Sequence, residues 1–299
     1  MHGPADRAAA ALAEAGFACD AGTLQIYPRE GFFGARLPDD RMAWFPLDEQ
    51  GRAALATERR VLRLLQAHCR FSAPRVIHES ESGWDLRELV PGVVDPFGVY
   101  ARIRSDSAFG YALGEDLGRV LAEQHTRIPA AELAGWLPTV PGWPNLDDIP
   151  HLPQVVDDAE LLSRIDAALR RYADVVRAVS DPVLVHTDLG PHNFAVSSAG
   201  DRLTGVFDYR GAVFGDRHRD FTYMIFQMAE EPVLDGALAV YEPATGFRID
   251  RERVRLFNAV SAIGFLAFRH GHAPDEAWCG RTLAEDLAWT NAALRLIHL

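Results

Sequence analysis

Directly behind the apolar run Val183-Leu184-Val185 stand His186-Thr187-Asp188-Leu189-Gly190-Pro191-His192-Asn193. Fifteen residues past Asn193, behind a second apolar run Gly205-Val206-Phe207, comes Asp208. This H-x-D-x-x-x-x-N pattern with its trailing Asp constrains the chain more than any other feature. Both apolar runs are short and β-like, so the pattern predicts a loop hung from two short strands that bring Asp188, Asn193 and Asp208 to one point. A carboxylate such as Asp188 can accept the proton of an attacking hydroxyl. An amide carbonyl and a second carboxylate are the hard oxygen donors that magnesium prefers. Phosphoryl transfer demands those parts together. Taken singly, each residue has a turn or strand-end role as its alternative, and the joint spacing is what favours chemistry.

The rest of the chain reads as two unlike stretches. Leu24 to Leu37 and Arg41 to Leu47 are aromatic-rich runs joined by Pro38-Asp39-Asp40, which predicts a β-hairpin with Trp44-Phe45 and Phe32-Phe33 in its core. From Gly51 to Cys69, Leu55, Leu62 and Leu65 recur near one face with Glu58, Arg59 and Arg60 between them, a helical pattern. A second strand pair is expected over Arg75 to His78 and Trp84 to Val90, closed by Pro91-Gly92. Beyond it the character is helical. Leu113, Leu117, Val120, Leu121 and Gln124 predict a helix running to about Thr126, and another follows from about Asp158 to Val179. Gly135 to Pro153 reads as a long loop, and the chain is helical again from Arg251, with a last helix over Arg281 to Leu296. The expected fold class is α+β in two lobes, a small β-rich one over 1–92 and a larger, mainly helical one over 93–299.

A length of 299 residues with 48% hydrophobic residues suffices for a large core. The net charge of −12 argues against nucleic acid, which needs a concentrated basic face. It suits a cationic small-molecule substrate, as it also suits solubility alone. Asp147, Asp148, Asp157, Asp158, Glu230 and Glu231 are acids for such a pocket or for a solvated face. All 30 Lys+Arg residues are arginine. Cys19, Cys69 and Cys279 have no metal-ligand spacing. The start, broken by Asp6, Arg7, Glu14 and Asp20, does not read as a signal peptide, so a cytoplasmic location is expected. Val254 to Phe268, interrupted by Asn258 and Ser261, reads as a buried helix and no membrane partner is expected. Oligomeric state is not encoded in any pattern here.

VLVHTDLGPHNFAV followed by LTGVFDYRGAVFGDRHRDF resembles the paired signature of the aminoglycoside phosphotransferase and choline kinase-like family, a branch of the protein-kinase fold. The resemblance implies Asp188 as base, Asn193 and Asp208 as magnesium ligands, and Asp216 and Asp220 as bracing acids. It implies ATP or another nucleoside triphosphate as donor and a small-molecule hydroxyl as acceptor, on an aminoglycoside, another antibiotic or an amino-alcohol. Glu88-Leu89-Val90-Pro91-Gly92 resembles the family's hinge, where backbone groups of Leu89 or Val90 would meet adenine, and Leu121 to His125 resembles its helix before the substrate-side insertion. The family's third strand carries a basic residue two positions before a proline, paired with a helix Glu. Here that slot before Pro46 holds Trp44, while Glu58 stands where the helix Glu is expected. Arg36 and Arg41 are then the nearest cations for a phosphate, and Gly31 and Gly34 alone make a thin glycine loop. Two readings follow: an ATP- and magnesium-dependent O-phosphotransferase, or a nucleotide-binding pseudokinase or regulatory protein on account of Trp44. His186 is expected to tie the loop to nearby backbone, His192 to be a loop residue, and His125 to be satisfied locally.

Overall fold

The structure, a computed structural model, describes residues 3–142, 144, 146–177, 179–225, 232–278 and 280–297. It divides into two compact units, Met1–Val94 with Asn193–Arg210, and Asp95–His192 with Gly211–Leu299.

The first unit opens with α1 (Pro4–Glu14), then β1 (Gln25–Arg29), β2 (Phe32–Arg36), β3 (Arg41–Pro46), α2 (Glu49–His68), β4 (Arg75–Glu79) and β5 (Asp85–Glu88). The strands form one antiparallel sheet in the order β1-β2-β3-β5-β4. Where the sequence predicts one limb over Leu24 to Leu37, the chain turns at Glu30-Gly31 and makes two strands. Gly31 is what permits this, with φ at +75°. Its carbonyl oxygen would lie 1.8 Å from a Cβ on Gly51, so the turn packs directly on the start of α2. Asp48 caps that helix by accepting the Gly51 N–H at 2.7 Å.

Successive side chains of a strand point to opposite faces. Phe33, Ala35, Ala43, Phe45 and Leu86 fall on one face, buried with Ala8 and Leu12 of α1. Phe32, Gly34, Met42, Trp44, Asp85 and Arg87 fall on the other, with Gly34 opposite Trp44, and Met42 opposite Arg87, in the ladder. The aromatic run therefore divides between two faces: Phe33 stacks on Phe45 at 5.0 Å in the core, while Phe32 and Trp44 meet edge-on at 5.6 Å on the far side. A Cβ at Gly34 would lie 2.9 Å from the Trp44 ring, so packing alone accounts for this glycine.

The second unit contains α3 (Pro96–Ser105), α4 (Ser107–Arg127), α5 (Ala130–Leu133), a 3-10 segment Leu146–Gln154, α6 (Ala159–Arg177) and β6 (Val183–Val185). The chain returns to the first unit as β7 (Phe194–Val196) and β8 (Leu203–Val206). It re-enters the second as β9 (Val213–Gly215), a 3-10 segment Arg217–Met224, and helices α7 (Pro232–Thr245), α8 (Arg251–Phe268) and α9 (Leu283–Arg295). Tyr172 of α6, Phe257, Val260 and Ile263 of α8, and Leu294 of α9 share one core. Among the described residues no helix is long and apolar enough to cross a membrane. Cys19 and Cys69 are in no disulfide, and Cys279 lies outside the described residues.

Candidate active site

Asp188 follows β6, which pairs antiparallel with β9. The loop backbone is anchored by Asp220, 1 % exposed. Its carboxylate accepts the Thr187 N–H at 2.9 Å and the His186 N–H at 3.1 Å, with Gln124 Nε2 at 2.9 Å and His125 Nε2 at 3.0 Å. The expected bracing acid is thus explained by four donors around one buried carboxylate. Thr187 has φ +74°, costly for a β-branched residue, and its Oγ1 donates to the Gly211 carbonyl at 3.0 Å. His186 is fully buried and accepts the Asp188 N–H on Nδ1 at 3.3 Å, the tie to local backbone that its position suggests. His125 also meets the Tyr241 hydroxyl at 2.9 Å, and burial holds its pKa below the ordinary imidazole value.

On this anchored backbone the Asp188 side chain is 46 % exposed. His192 Nε2 stands 3.1 and 3.2 Å from its two oxygens. Partial desolvation pushes the carboxyl up, but the hydrogen bond and charge of His192 and a hydrogen bond from Tyr223 outweigh it and hold it below the usual value. Solvent screens both effects. Asp188 is therefore an ionised, open carboxylate at neutral pH. Sequence reading treats His192 as a bare loop residue; its signal was the four-residue spacing from Asp188 across a Gly-Pro turn.

Asn193 and Asp208 lie in the first unit, on a ribbon. β7 and β8 pair antiparallel with Phe194 opposite Val206, and the Phe207 N–H donates to the Asn193 carbonyl at 2.9 Å. Asn193 just before β7 and Asp208 just after β8 therefore stand at the same end. The expectation of one loop on two strands is corrected here, because β6 pairs with β9 and β8 pairs with β7. β7 and β9, three residues each, are too short to show a period in sequence.

Asp208 has φ +67° and its carboxylate is held in a fork, Arg210 Nε to Oδ1 at 2.7 Å and Nη2 to Oδ2 at 2.6 Å. Glu58 of α2, 3 % exposed, accepts the Tyr209 N–H on Oε1 at 3.1 Å. Its Oε2 lies 2.8 Å from Arg87 Nη1 and 4.0 Å from Arg210 Nε. Arg87, 2 % exposed, also binds Asp85, itself fully buried, through Nε at 2.6 Å and Nη2 at 3.1 Å. Arg59 Nη1 meets the same Asp85 at 3.2 Å. Burial drives the Glu58 carboxyl upward, Arg87 and Arg210 oppose this, and the Asp208 charge adds to it. For Arg210, desolvation is overcome by the Asp208 hydrogen bond and charge, so its pKa rises.

The cations beside Glu58 are thus Arg87 and Arg210. Arg36 and Arg41 are held at the β2–β3 turn instead, by Asp40 at 2.8 Å and Asp39 at 2.8 Å. Trp44 lies over Gly34 on the same sheet face as Arg87, and the Arg210 guanidinium sits 4.6 Å from the Phe32 ring centroid and 5.4 Å from that of Trp44. At the hinge-like segment the Leu89 N–H is donated to the Asp40 carbonyl at 3.0 Å. Asp147, Asp157 and Asp158 are exposed, Asp148 is half-buried, and Asp158 caps α6 through the Glu160 N–H at 2.9 Å. Glu230 and Glu231 lie outside the described residues.

The donor set of the ribbon end fits magnesium: an amide and a carboxylate offer hard oxygens, and the Asp208 carboxylate already accommodates a cation in Arg210. Among the described residues no three His, Cys, Asp or Glu side chains group as a metal set, so such an ion would complete its shell with phosphate oxygens and water.

Solved structures share this architecture. The chain aligns with the ternary complex of APH(2")-IIa with streptomycin and ATP at 15% identity and TM-score 0.66, covering 100% of both chains. It aligns with a macrolide 2'-phosphotransferase, MphH from Brachybacterium faecium, at 22% identity and TM-score 0.65, covering 96% of this chain and 98% of that one. With the GDP complex of aminoglycoside 2'-phosphotransferase-IIIa the values are 20%, 0.64, 91% and 93%. The fold is protein-kinase-like, with an antiparallel five-stranded sheet unit and a mainly helical unit. The description "Phosphotransferase enzyme family" matches residues 45–257, and the chain belongs to that family. Its family is one of phosphotransferase enzymes. No curated protein matches its sequence.

Proposed function

We propose that the chain is an ATP- and magnesium-dependent O-phosphotransferase in which Asp188 takes the proton of a small-molecule hydroxyl while Asn193 and Asp208 hold the metal. The observation that carries this is the ribbon end where Asn193 and Asp208 stand together, immediately along the chain from the anchored Asp188 loop. Asp188 is open to solvent, so it can receive a hydroxyl, and it is ionised, so it can accept the proton. His192 steadies its carboxylate. Magnesium, when bound, neutralises charge on the phosphoryl group in transfer. Glu58 acts by holding Arg87 and Arg210 in place, and Leu89 and Val90 offer backbone groups to the base of the nucleotide. Arg36, paired with Asp40, is not needed by this reading.

For the acceptor, the net charge of −12 favours a cationic compound, and the similar structures carry streptomycin in one case and a macrolide phosphotransferase activity in another. An aminoglycoside or macrolide hydroxyl is therefore the first acceptor to try, with ATP supplied as in the cytoplasm. The test is ATP turnover with magnesium across aminoglycosides, macrolides and amino-alcohols, beside Asp188→Ala. Turnover undamaged by that substitution would remove Asp188 as the base. The second reading, a nucleotide-binding pseudokinase, draws on Trp44 in the β3 slot and on the Arg210 fork over Asp208. ATP binding without product on any acceptor would establish it.

A further inference from the structure

Of the guanidiniums grouped around Glu58 and Asp85, two are committed to buried partners. Arg87 places Nε, Nη1 and Nη2 on Asp85 and Glu58 at 2 % exposure. Arg59, 5 % exposed, is taken up by Asp85 and the Gly83 carbonyl. Arg210 is different. Its side chain is 22 % exposed, it sits two residues beyond Asp208, and it lies against two aromatic rings, Phe32 and Trp44. Trp44 leaves β3 with no cation on that face, and the chain has no lysine anywhere. A nucleotide polyphosphate nonetheless requires a positive partner beyond its metal.

We propose that Arg210 is the phosphate-binding cation of this site and that Asp208 is its resting partner. The proposal rests on the functional reading above, in which Asp208 ligates the metal of a nucleotide. In the described state the Arg210 fork covers both Asp208 oxygens, the same atoms a divalent ion needs. Two cations repel at one carboxylate, so metal binding displaces the guanidinium and leaves its fork without a bidentate partner, with only Glu58 nearby at 4.0 Å from Nε. A phosphate offers the same bidentate geometry as a carboxylate and satisfies the fork equally well. The Phe32 and Trp44 rings give the guanidinium a face to move across without losing its favourable surroundings. Glu58, 4.0 Å from Arg210 Nε, keeps the side chain from swinging away into solvent. On this account Trp44 in the β3 slot and Arg210 beyond Asp208 are one device: the cation comes from the ribbon, and the strand supplies its shelf.

The experiment measures two affinities in wild type, Arg210→Gln, Arg210→Lys and the double variant Trp44→Lys/Arg210→Gln: Mn2+ alone by spin resonance, and magnesium-ATP by calorimetry. Arg210→Gln is expected to weaken magnesium-ATP about tenfold or more while tightening Mn2+ alone, since the competing guanidinium is gone. Arg210→Lys retains part of the nucleotide affinity, and the lysine placed at position 44 restores it in the double variant. Opposite changes in the two affinities are something a misfolded variant does not produce. Unchanged magnesium-ATP affinity in Arg210→Gln overturns the role given to Arg210 and leaves the functional reading intact. Loss of both affinities in Arg210→Gln, with no recovery in the double variant, overturns it as well. A wild-type chain that binds neither Mn2+ nor magnesium-ATP overturns the functional reading and this proposal with it.

Discussion

Around Asp188 the protein directs its hydrogen bonds to the backbone, whereas around Asp208 it directs them to side-chain charges. Asp220 grips the N–H groups of His186 and Thr187 and leaves the Asp188 carboxylate half-open, touched from the side by His192. At the ribbon end, Glu58, Asp85 and Asp208 are matched by Arg59, Arg87 and Arg210, and most of these charges are buried. The two tasks proposed for these regions explain the difference. A base must be rigidly aimed yet reachable, so its main chain is locked and its oxygens are left accessible. On the proposed reading the ribbon end receives a multiply charged guest; most of its charges are buried, where any unpaired charge is expensive, so charge is balanced internally until the guest arrives.

Four substitutions probe that contrast. Asp188→Asn should lower kcat by about 10²–10⁴-fold, the usual contribution of a general base, with only a small fall in thermal midpoint; a large fall in midpoint would mean the carboxylate is structural and break the contrast. Arg87→Met should do the reverse, lowering unfolding free energy by about 3–5 kcal/mol in urea titration, because it leaves Glu58 and Asp85 buried without their shared cation. Asp220→Asn should cost about 1–3 kcal/mol, since an amide cannot accept from all four donors now around that carboxylate. It should also lower kcat, which would show that backbone anchoring serves the base.

The smallest expected effect is on pH dependence. Asp188 has a depressed carboxyl pKa, so the stability this imparts is complete above the unfolded value of about 3.9 and is lost as pH falls through the lower folded value. His192→Asn removes the principal opposing influence and raises that pKa. The acid limb of kcat/KM should then move to higher pH, and an unmoved limb would show that His192 has no hold on the base.

Much of this was readable before any fold was known. Val183 to Val185 and Leu203 to Val206 are strands as their apolar runs suggest, and the spacing of Leu55, Leu62 and Leu65 marks α2 with Glu58 on it. β7 and β9 were hidden, because their pairing is set by partners elsewhere in the chain. The turn at Glu30-Gly31 was hidden inside a continuous aromatic run.

Local facts are written along the chain: which oxygen-bearing side chains follow which strands, at what spacing, and that no lysine is present. Backbone periodicity and turn chemistry act over a few residues, so they are visible there. Which cations meet Glu58 depends on how distant segments fold together. That choice joins α2 to β5 and to a segment 151 residues further on, where the Tyr209 N–H finds the same carboxylate. It turns on desolvation and geometry across the fold, and no spacing along the chain encodes it.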